Sequence, residues 1–127
     1  MMIIVDTGFW VGLANRRDQN HNQCRAVLQH CTESLITTYP VLVETIHLLF
    51  QRIGVAMTLA WFDTVQAEGV ELFTLDSSHL PRIGRLMHQY ADLPMDLADA
   101  SLVILAEHLG HGRIVSTDRR DFHAYRW

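Results

Sequence analysis

The sequence predicts a single α/β domain in which helices cover both faces of a mostly parallel sheet. Three observations predict this fold class. Apolar, strand-like runs alternate with helical segments along the whole chain. The first of these runs is apolar throughout, as in a strand that is buried on both faces. The 127 residues contain no internal repeat, low-complexity stretch or linker, and single domains commonly have ~100–150 residues.

Local signals place the elements of the amino-terminal half. The apolar run that ends at Val5 is a strand, and the apolar residues that follow it recur at helical spacing. Pro40 suits the first turn of a helix, where its missing N–H costs nothing, and Gly54 ends that helix. The predicted order is a strand ending at Val5, helices over 7–14 and 20–31, a strand over 35–39, and helices over 40–53 and 55–67.

The alternation continues in the carboxyl-terminal half. Ser77 or Ser78 is the expected cap of a helix that reaches Tyr90. A strongly apolar helix starts at Asp96, and Gly110 closes it. The predicted order is a strand over 70–75, these two helices, and a strand over 113–117.

The charged residues exclude several classes of protein. Ten basic residues stand against fourteen acidic ones, which leaves a net charge of −4, and all ten are arginine. Without lysine, the chain cannot use a Schiff base, a Walker lysine or a lysine that contacts an aspartyl phosphate. The acidic balance also argues against a nucleic-acid binder that works by overall positive charge.

The cysteines and the amino terminus predict a cytoplasmic protein. Cys24 and Cys31 lie seven residues apart on one predicted helix, roughly 10 Å along its axis, too far for a disulfide. We therefore expect two free thiols in a reducing compartment. No basic segment precedes the first apolar run, and no apolar run approaches the ~20 residues of a membrane span, so we expect neither a signal peptide nor a membrane.

Two aspartates directly follow predicted strands. Asp6 ends the first strand and Asp118 ends the last. Ligands of parallel sheets gather beyond the carboxyl ends of the strands, so both residues are candidates for a site. Each also has a structural alternative, because Asp6 could cap the next helix and Asp118 could pair with Arg119 or Arg120. If Thr7 did the capping instead, Asp6 would be available for chemistry.

Three further acids lie on predicted helices. Glu44 has apolar residues three positions before and four after it, which places it on or beside a buried stripe. Charged side chains are almost never fully buried unless they are paired or bind metal. The alternatives are a glutamate favoured near a helix amino terminus by the dipole, or one whose carboxylate reaches solvent from the edge of the stripe. Asp96 and Asp99 share one face at the start of an apolar helix, where capping explains Asp96 better than Asp99.

Converging carboxylates predict a divalent metal ion. Two charges ~4 Å apart repel by roughly 4 kcal/mol at an effective dielectric near 20. Such groups must take up protons or bind a cation. Ligands that offer only oxygen favour Mg²⁺ or Mn²⁺ over zinc or copper.

The order and spacing of these motifs resemble PIN-domain proteins of the VapC toxin type over essentially the whole chain. The matching segments are Asp6-Thr7, Glu44, Met95-Asp96-Leu97-Ala98-Asp99-Ala100 and Ser116-Thr117-Asp118-Arg119-Arg120-Asp121-Phe122. The resemblance implies a PIN-like three-layer α/β/α sandwich with a central, mostly parallel sheet of four to five strands. It also implies an endoribonuclease toxin that depends on one or two Mg²⁺ or Mn²⁺ ions and is neutralised by a small antitoxin. The chain ends soon after Phe122, where many relatives add a short strand, so the last edge strand is left open.

The resemblance assigns roles to particular acids. The four catalytic positions fall on Asp6, Glu44, Asp99 and Asp118. Of these, Asp6 and Asp99 match direct metal ligands, while Glu44 and Asp118 are expected to act through water. Asp96 is an additional acid, expected to be a cap or a residue that supports the ligands. The four catalytic acids together carry a charge of −4, which equals the net charge of the chain.

The expected partners are an RNA substrate, an antitoxin and a second copy of the chain. Position near the acids nominates Thr7, Arg16, Arg17, Arg119 and Arg120 as RNA-binding residues, with solvated surface charge as the alternative for each arginine. The segment 50–59, with Trp61, is a candidate apolar surface for an antitoxin or a dimer partner. We expect a homodimer or a toxin–antitoxin hetero-oligomer.

Other functions remain open on the same fold. The domain could be a non-catalytic PIN-like RNA-binding or scaffold module, although such a module gains nothing from acids that repel one another. It could also be a PIN-type nuclease outside toxin–antitoxin systems, including one that acts on DNA. Receiver domains and haloacid dehalogenase-like phosphatases also place acids at strand ends, but both need a lysine that this chain lacks.

Overall fold

Four parallel strands form the centre of the part of the chain that the structure describes. A computed structural model describes residues 2–116. The strands are β1 (Met2–Val5), β2 (Ser34–Thr38), β3 (Glu71–Phe73) and β4 (Ile114–Val115). They are arranged in the order β3-β2-β1-β4, with Ile3 opposite Leu35 and Ile4 opposite both Ile36 and Ile114. The predictions for Asp118, Arg119 and Arg120, and for any strand beyond Phe122, concern residues outside the described range.

Both faces of the sheet are covered. Successive side chains of a strand point to opposite faces. Ile3, Ile4 and Val5 are nevertheless all buried, as are Thr37 and Thr38 in the neighbouring strand. This burial confirms the expected sandwich, in which helices flank a parallel sheet.

Within residues 2–116, five α-helices surround the sheet, and they follow the predicted order closely. They are α1 (Thr7–Ala14), α2 (His21–His30), α3 (Tyr39–Glu68), α4 (Leu80–Gln89) and α5 (Leu97–Leu109). Helix α5 packs on β1, β2, α3 and α4, and every residue from 100 to 106 is buried. Helix α1 packs on α2 and α3.

Helix α3 is broken at Gly54. That residue has φ 84° and ψ 171°, a left-handed conformation that favours glycine, and it divides the helix into arms over 39–53 and 55–68. The prediction of two helices separated by Gly54 is thereby confirmed. The expectation that no apolar stretch approaches a membrane span needs correction, because α3 as a whole is long and apolar enough. Each arm alone is shorter than the ~20 residues that a spanning helix requires, so α3 is weak evidence for a membrane.

The predicted serine cap before α4 is wrong. The Asp76 carboxylate accepts hydrogen bonds from the backbone N–H groups of Ser78, at 2.9 Å, and of His79. In return, the Asp76 N–H donates to the ring of His79 at 3.0 Å. Asp76 thereby starts a short 3₁₀ turn over Ser77–His79. Helix α4 begins only at Leu80. A carboxylate one residue earlier in the chain is as good a cap as a serine hydroxyl, and it is charged, so it prevails here.

Helices α1 and α2 approach each other at Gly12. A Cβ on Gly12 would lie 2.6 Å from the sulfur of Cys24, which is buried. The ring of His21 donates a hydrogen bond to the Gly12 carbonyl at 2.8 Å. Cys24 and Cys31 are free thiols, as expected, and burial raises the pKa of Cys24. Glycine is therefore required at position 12 by a close approach between helices.

We predict that Gly12→Ala lowers the free energy of unfolding by about 1–3 kcal/mol, because the added methyl group overlaps the Cys24 sulfur. The same substitution should cost less in a Cys24→Ala background, where the sulfur is gone. Urea unfolding of the two single variants and the double variant measures this coupling. Gly84→Ala is the matched control, since nothing lies within 4 Å of a Cβ at that position in α4. Strictly additive costs at positions 12 and 24 would contradict the prediction.

Candidate active site

The acidic residues lie where β1 and β2 end. These strands are neighbours and run parallel, so their carboxyl ends meet at one edge of the sheet. Helix α1 begins there after Asp6, and α3 begins there after Thr38. The side chain of Thr38 also contacts Ser101 of α5, with 2.7 Å between the two hydroxyl oxygens. The three helices that carry the described acids therefore converge on this edge.

Asp6 is the cap of α1. Its Oδ1 accepts a hydrogen bond from the Phe9 N–H at 2.8 Å, and the residue is only 5% exposed. The hydroxyl of Thr37 donates to the Val5 carbonyl at 2.9 Å, which secures the strand immediately before Asp6. The suggestion that Thr7 would cap the helix in place of Asp6 is therefore wrong. Capping does not exclude a second role, since a carboxylate has two oxygens and about four lone-pair positions.

Asp96 and Asp99 cap the start of α5 reciprocally. The Asp99 N–H donates to the Asp96 carboxylate at 2.9 Å, and the Asp96 N–H donates to the Asp99 carboxylate at 3.3 Å. This arrangement confirms the predicted capping role of Asp96. It also fixes the backbone of both residues, because each carboxylate holds the other residue's amide. Asp99 is half-buried, whereas Asp96 is exposed.

Glu44 extends from the first arm of α3 to the acids of α5. Its carboxyl group shares a hydrogen bond with the carboxyl group of Asp96, and the charge of Asp99 is close enough to act on it. On its other side the hydroxyl of Thr7 donates a hydrogen bond to it. Glu44 is half-buried, as the apolar stripe around it predicts. Acids on α3 and α5 thus meet beside the start of α1.

The environment of Glu44 favours its neutral form. Burial and the contact with Asp96 raise the pKa of Glu44 to about 7, the charge of Asp99 adds to the rise, and the Thr7 hydroxyl opposes it. Two carboxyl groups in contact need either a shared proton or a cation between them. A full negative charge on Glu44 is therefore unfavourable here unless a cation is bound.

The structure brings together only part of the predicted constellation. Glu44, Asp96 and Asp99 are in mutual reach, and Asp6 is joined to them through Thr7, its neighbour in the chain. Asp118 lies outside the described residues. Within residues 2–116, no three acidic, histidine or cysteine side chains are grouped so that they could hold a metal ion. The sequence predicted Asp96 as a cap or a residue that supports the ligands, but it did not predict the contact of Asp96 with Glu44.

Arg16 and Arg17 lie away from these acids. Both are exposed and follow the carboxyl end of α1, whereas Asp6 stands at its amino end. A helix of eight residues is ~12 Å long, so these two arginines are removed from Asp6 by about that distance. Their contact with RNA stays a prediction, and Arg119 and Arg120 lie outside the described residues.

A groove lies between α1, α2 and the second arm of α3, with a volume of about 680 Å³. Trp10 and Trp61 meet at its base in an edge-to-face arrangement, with 5.7 Å between ring centroids. The buried indole nitrogen of Trp10 has no hydrogen-bond acceptor within the part of the chain that the structure describes. Most of the remaining lining is apolar or cationic, including Leu13, Leu28, Met57, Arg16 and Arg25, and Glu68 and Thr64 also line the groove.

We predict that Glu44 makes the metal-free protein less stable as the pH rises. Between its ordinary pKa of 4.5 and about 7, the folded protein keeps a proton that the unfolded chain has lost. The stabilisation is complete below pH 4.5 and is lost as the pH rises through 7. In EDTA, the titration of Glu44 should make the free energy of unfolding on the order of 1–2 kcal/mol smaller at pH 8 than at pH 5, after allowance for solvent screening.

Glu44→Gln should remove that part of the pH dependence, because glutamine does not titrate. Chemical denaturation at pH 5 and pH 8 measures the difference. Glu68→Gln, at the exposed far end of α3, is the control and should keep the wild-type pH dependence. If Glu44→Gln loses as much stability over this range as the wild type, the assignment of the raised pKa is wrong.

Comparison with known proteins agrees with the fold and the motifs. Ribonuclease VapC26 from Mycobacterium tuberculosis strain H37Rv is 25% identical over 124 residues, which cover 98% of this chain and 92% of the relative. The crystal structure of Mycobacterium tuberculosis VapC20, described as a sarcin-ricin loop cleaving toxin, superimposes with a TM-score of 0.86 at 20% identity. That superposition covers 96% of this chain and 94% of VapC20, and it shows the same fold.

The family model for the PIN domain matches residues 3–127. This match includes every motif on which the resemblance was based, from the strand before Asp6 to the segment that contains Asp118. The chain belongs to the PIN-domain family, and VapC-type toxins are among its relatives.

Proposed function

We propose that this chain is a Mg²⁺- or Mn²⁺-dependent endoribonuclease, a VapC-like cytoplasmic toxin that an antitoxin neutralises. The observation that carries the proposal is the meeting of Glu44 with Asp96 and Asp99 at the edge of the sheet where Asp6 ends β1. The curated relative VapC26, which matches nearly the whole chain, is named a ribonuclease.

The donor atoms suit a hard divalent cation. Every acidic group that meets here offers carboxylate oxygen, and the contact between Glu44 and Asp96 leaves excess negative charge. We assign direct binding of the ion to Asp6 and Asp99, with Glu44 and Asp118 acting through water. When bound, one or two such ions supply charge neutralisation and activation of water for hydrolysis of a phosphodiester.

The chain's own residues orient the acids and hold the RNA. The reciprocal cap between Asp96 and Asp99 holds the amino end of α5, and the Phe9 N–H holds the carboxylate of Asp6. Thr7 donates to Glu44 from the other side. Because the acids repel phosphate, RNA needs cationic contacts outside them, for which we propose Arg16, Arg17, Arg119 and Arg120. The planar guanidinium group of arginine matches a phosphate with two parallel hydrogen bonds.

We predict that the purified protein cleaves structured RNA in Mg²⁺ or Mn²⁺ and is inactive in EDTA. Asp99→Asn should reduce cleavage by ~100-fold or more, since it removes a charged oxygen ligand while keeping a side chain that can cap α5. The substrates are a pool of folded RNAs that includes a sarcin–ricin loop hairpin, and cleavage is followed by gel electrophoresis. Asp63→Asn, an exposed acid on the second arm of α3, is the matched control and should cleave like the wild type.

The results separate the proposed enzyme from its alternatives. Cleavage that survives EDTA or Asp99→Asn would contradict a metal-dependent nuclease. RNA that binds without being cut would favour the non-catalytic RNA-binding module. Cleavage of DNA in preference to RNA would favour a PIN-type nuclease outside toxin–antitoxin systems.

The groove beside α1 is the surface that we propose for the antitoxin. Its apolar walls and its two arginines, which outnumber the one lining acid Glu68, suit a peptide segment that carries apolar and acidic side chains. Val55, Met57 and Leu59 on the second arm of α3 are exposed, which agrees with the expected apolar surface over 50–59. Of these three, Met57 lines the groove.

We predict that Met57→Glu weakens neutralisation without changing cleavage by the free protein. The new carboxylate would replace an apolar contact with a charge and would repel the acidic groups expected on the partner. The measurement is the concentration of added cognate antitoxin that halves the rate of RNA cleavage. Leu59→Glu is the matched control, because Leu59 is similarly exposed, on the same arm, but does not line the groove. Equal effects of the two substitutions would contradict docking in the groove.

A further inference from the structure

A buried pair of hydroxyl groups joins the two helices that carry the acids. Thr38 ends β2 and caps α3, and Ser101 lies in the second turn of α5. Their hydroxyl oxygens are 2.7 Å apart, and both residues are 0% exposed. The pair is 63 residues apart in sequence, so this contact is a tertiary link.

Proton counting gives the direction of each hydrogen bond. The hydroxyl of Ser101 has one hydrogen, and it donates it to the Ala98 carbonyl at 2.6 Å, since a carbonyl can only accept. Thr38 must then donate to Ser101, and its own oxygen accepts from the Val41 N–H at 3.4 Å. A directed chain therefore runs from the Val41 N–H through both hydroxyls to the Ala98 carbonyl.

The two ends of this chain lie next to the acids. Val41 is one helical turn before Glu44 in α3, and Ala98 immediately precedes Asp99 in α5. The carboxyl groups on these helices are in contact and repel one another when charged. Repulsion between these charges favours a larger separation of α3 and α5 at their amino ends. The Thr38–Ser101 pair opposes that movement in a region that water does not reach.

We propose that Thr38 and Ser101 are positioning residues, whose hydroxyl pair holds the amino ends of α3 and α5 at the separation that lets Glu44 and Asp99 act on one ion. The inference rests on the proposed function for its consequence in catalysis. It deepens that function by assigning two residues that touch neither RNA nor metal.

The test compares hydroxyl-free variants with a matched control. Thr38→Val and Ser101→Ala each remove one hydroxyl from the pair. Thr58→Val removes an equally buried hydroxyl from the second arm of α3, where it donates only to the Gly54 carbonyl at 2.7 Å. Thr38→Ser keeps the hydroxyl and serves as the conservative rescue. Ser101→Ala leaves the cap of α3 in place, so it tests the pair even if Thr38→Val fails to fold.

Affinity for Mn²⁺ and the rate of RNA cleavage are the first readouts, each at a temperature where all variants are folded. We expect both pair variants to lose ~10-fold or more in Mn²⁺ affinity and in cleavage rate, as for residues that orient metal ligands. Thr58→Val and Thr38→Ser should keep wild-type values. If the pair variants bind Mn²⁺ as tightly as Thr58→Val, their hydroxyls serve stability alone and the proposal is overturned.

Crystal structures of the metal-free wild type and Ser101→Ala give a readout that does not depend on activity. The proposal expects a larger separation between the amino ends of α3 and α5 in the variant, and an unchanged separation would overturn it. If the wild type neither binds Mn²⁺ nor cuts RNA, the proposed function fails. The crystallographic comparison would still decide whether the pair holds the helices together.

Discussion

The contact between carboxyl groups on α3 and α5 is the constraint on which the rest of the site depends. Glu44 is hydrogen-bonded to Asp96, the charge of Asp99 acts on Glu44 as well, and these contacts with burial raise the pKa of Glu44 to about 7. The folded state must therefore hold the carboxyl groups of Glu44, Asp96 and Asp99 close together despite their mutual repulsion. The parallel sheet achieves this by ending β1 and β2 at the same edge, and the reciprocal cap of Asp96 and Asp99 satisfies the amides that approach the site.

Much of the fold could be predicted because its signals are local. Pro40, Gly54 and Gly110 act through their own backbone preferences, and the helices they delimit lie within a few residues of the expected bounds. The error before α4 is also local, since Asp76 and Ser77 are both good caps and the sequence does not rank them. Apolar periodicity likewise placed Glu44 correctly at the border of the core.

The site was predictable only in its acids. Their positions follow from strand ends and helix starts, but the contact of Glu44 with Asp96 and the pairing of Thr38 with Ser101 depend on how α5 packs against α3. No local pattern encodes a contact across 63 residues. A threonine just before a helix with proline in its first turn indicates a cap, and Thr38 is that cap. This local pattern does not reveal that the same hydroxyl also contacts Ser101. The roles of Arg16 and Arg17 were inferred from sequence proximity, whereas α1 carries them to its opposite end.

The break at Gly54 has a consequence for how such a protein can change over time. One arm of α3 carries an acid of the site, and the other forms a wall of the groove. A continuous helix would transmit any shift or rotation of one half to the other, but a left-handed residue between them removes the shared hydrogen bonds and axis. Mutations that reshape the groove can therefore accumulate while the geometry around Glu44 is preserved. The two surfaces that α3 carries can therefore diverge at different rates along a single stretch of chain.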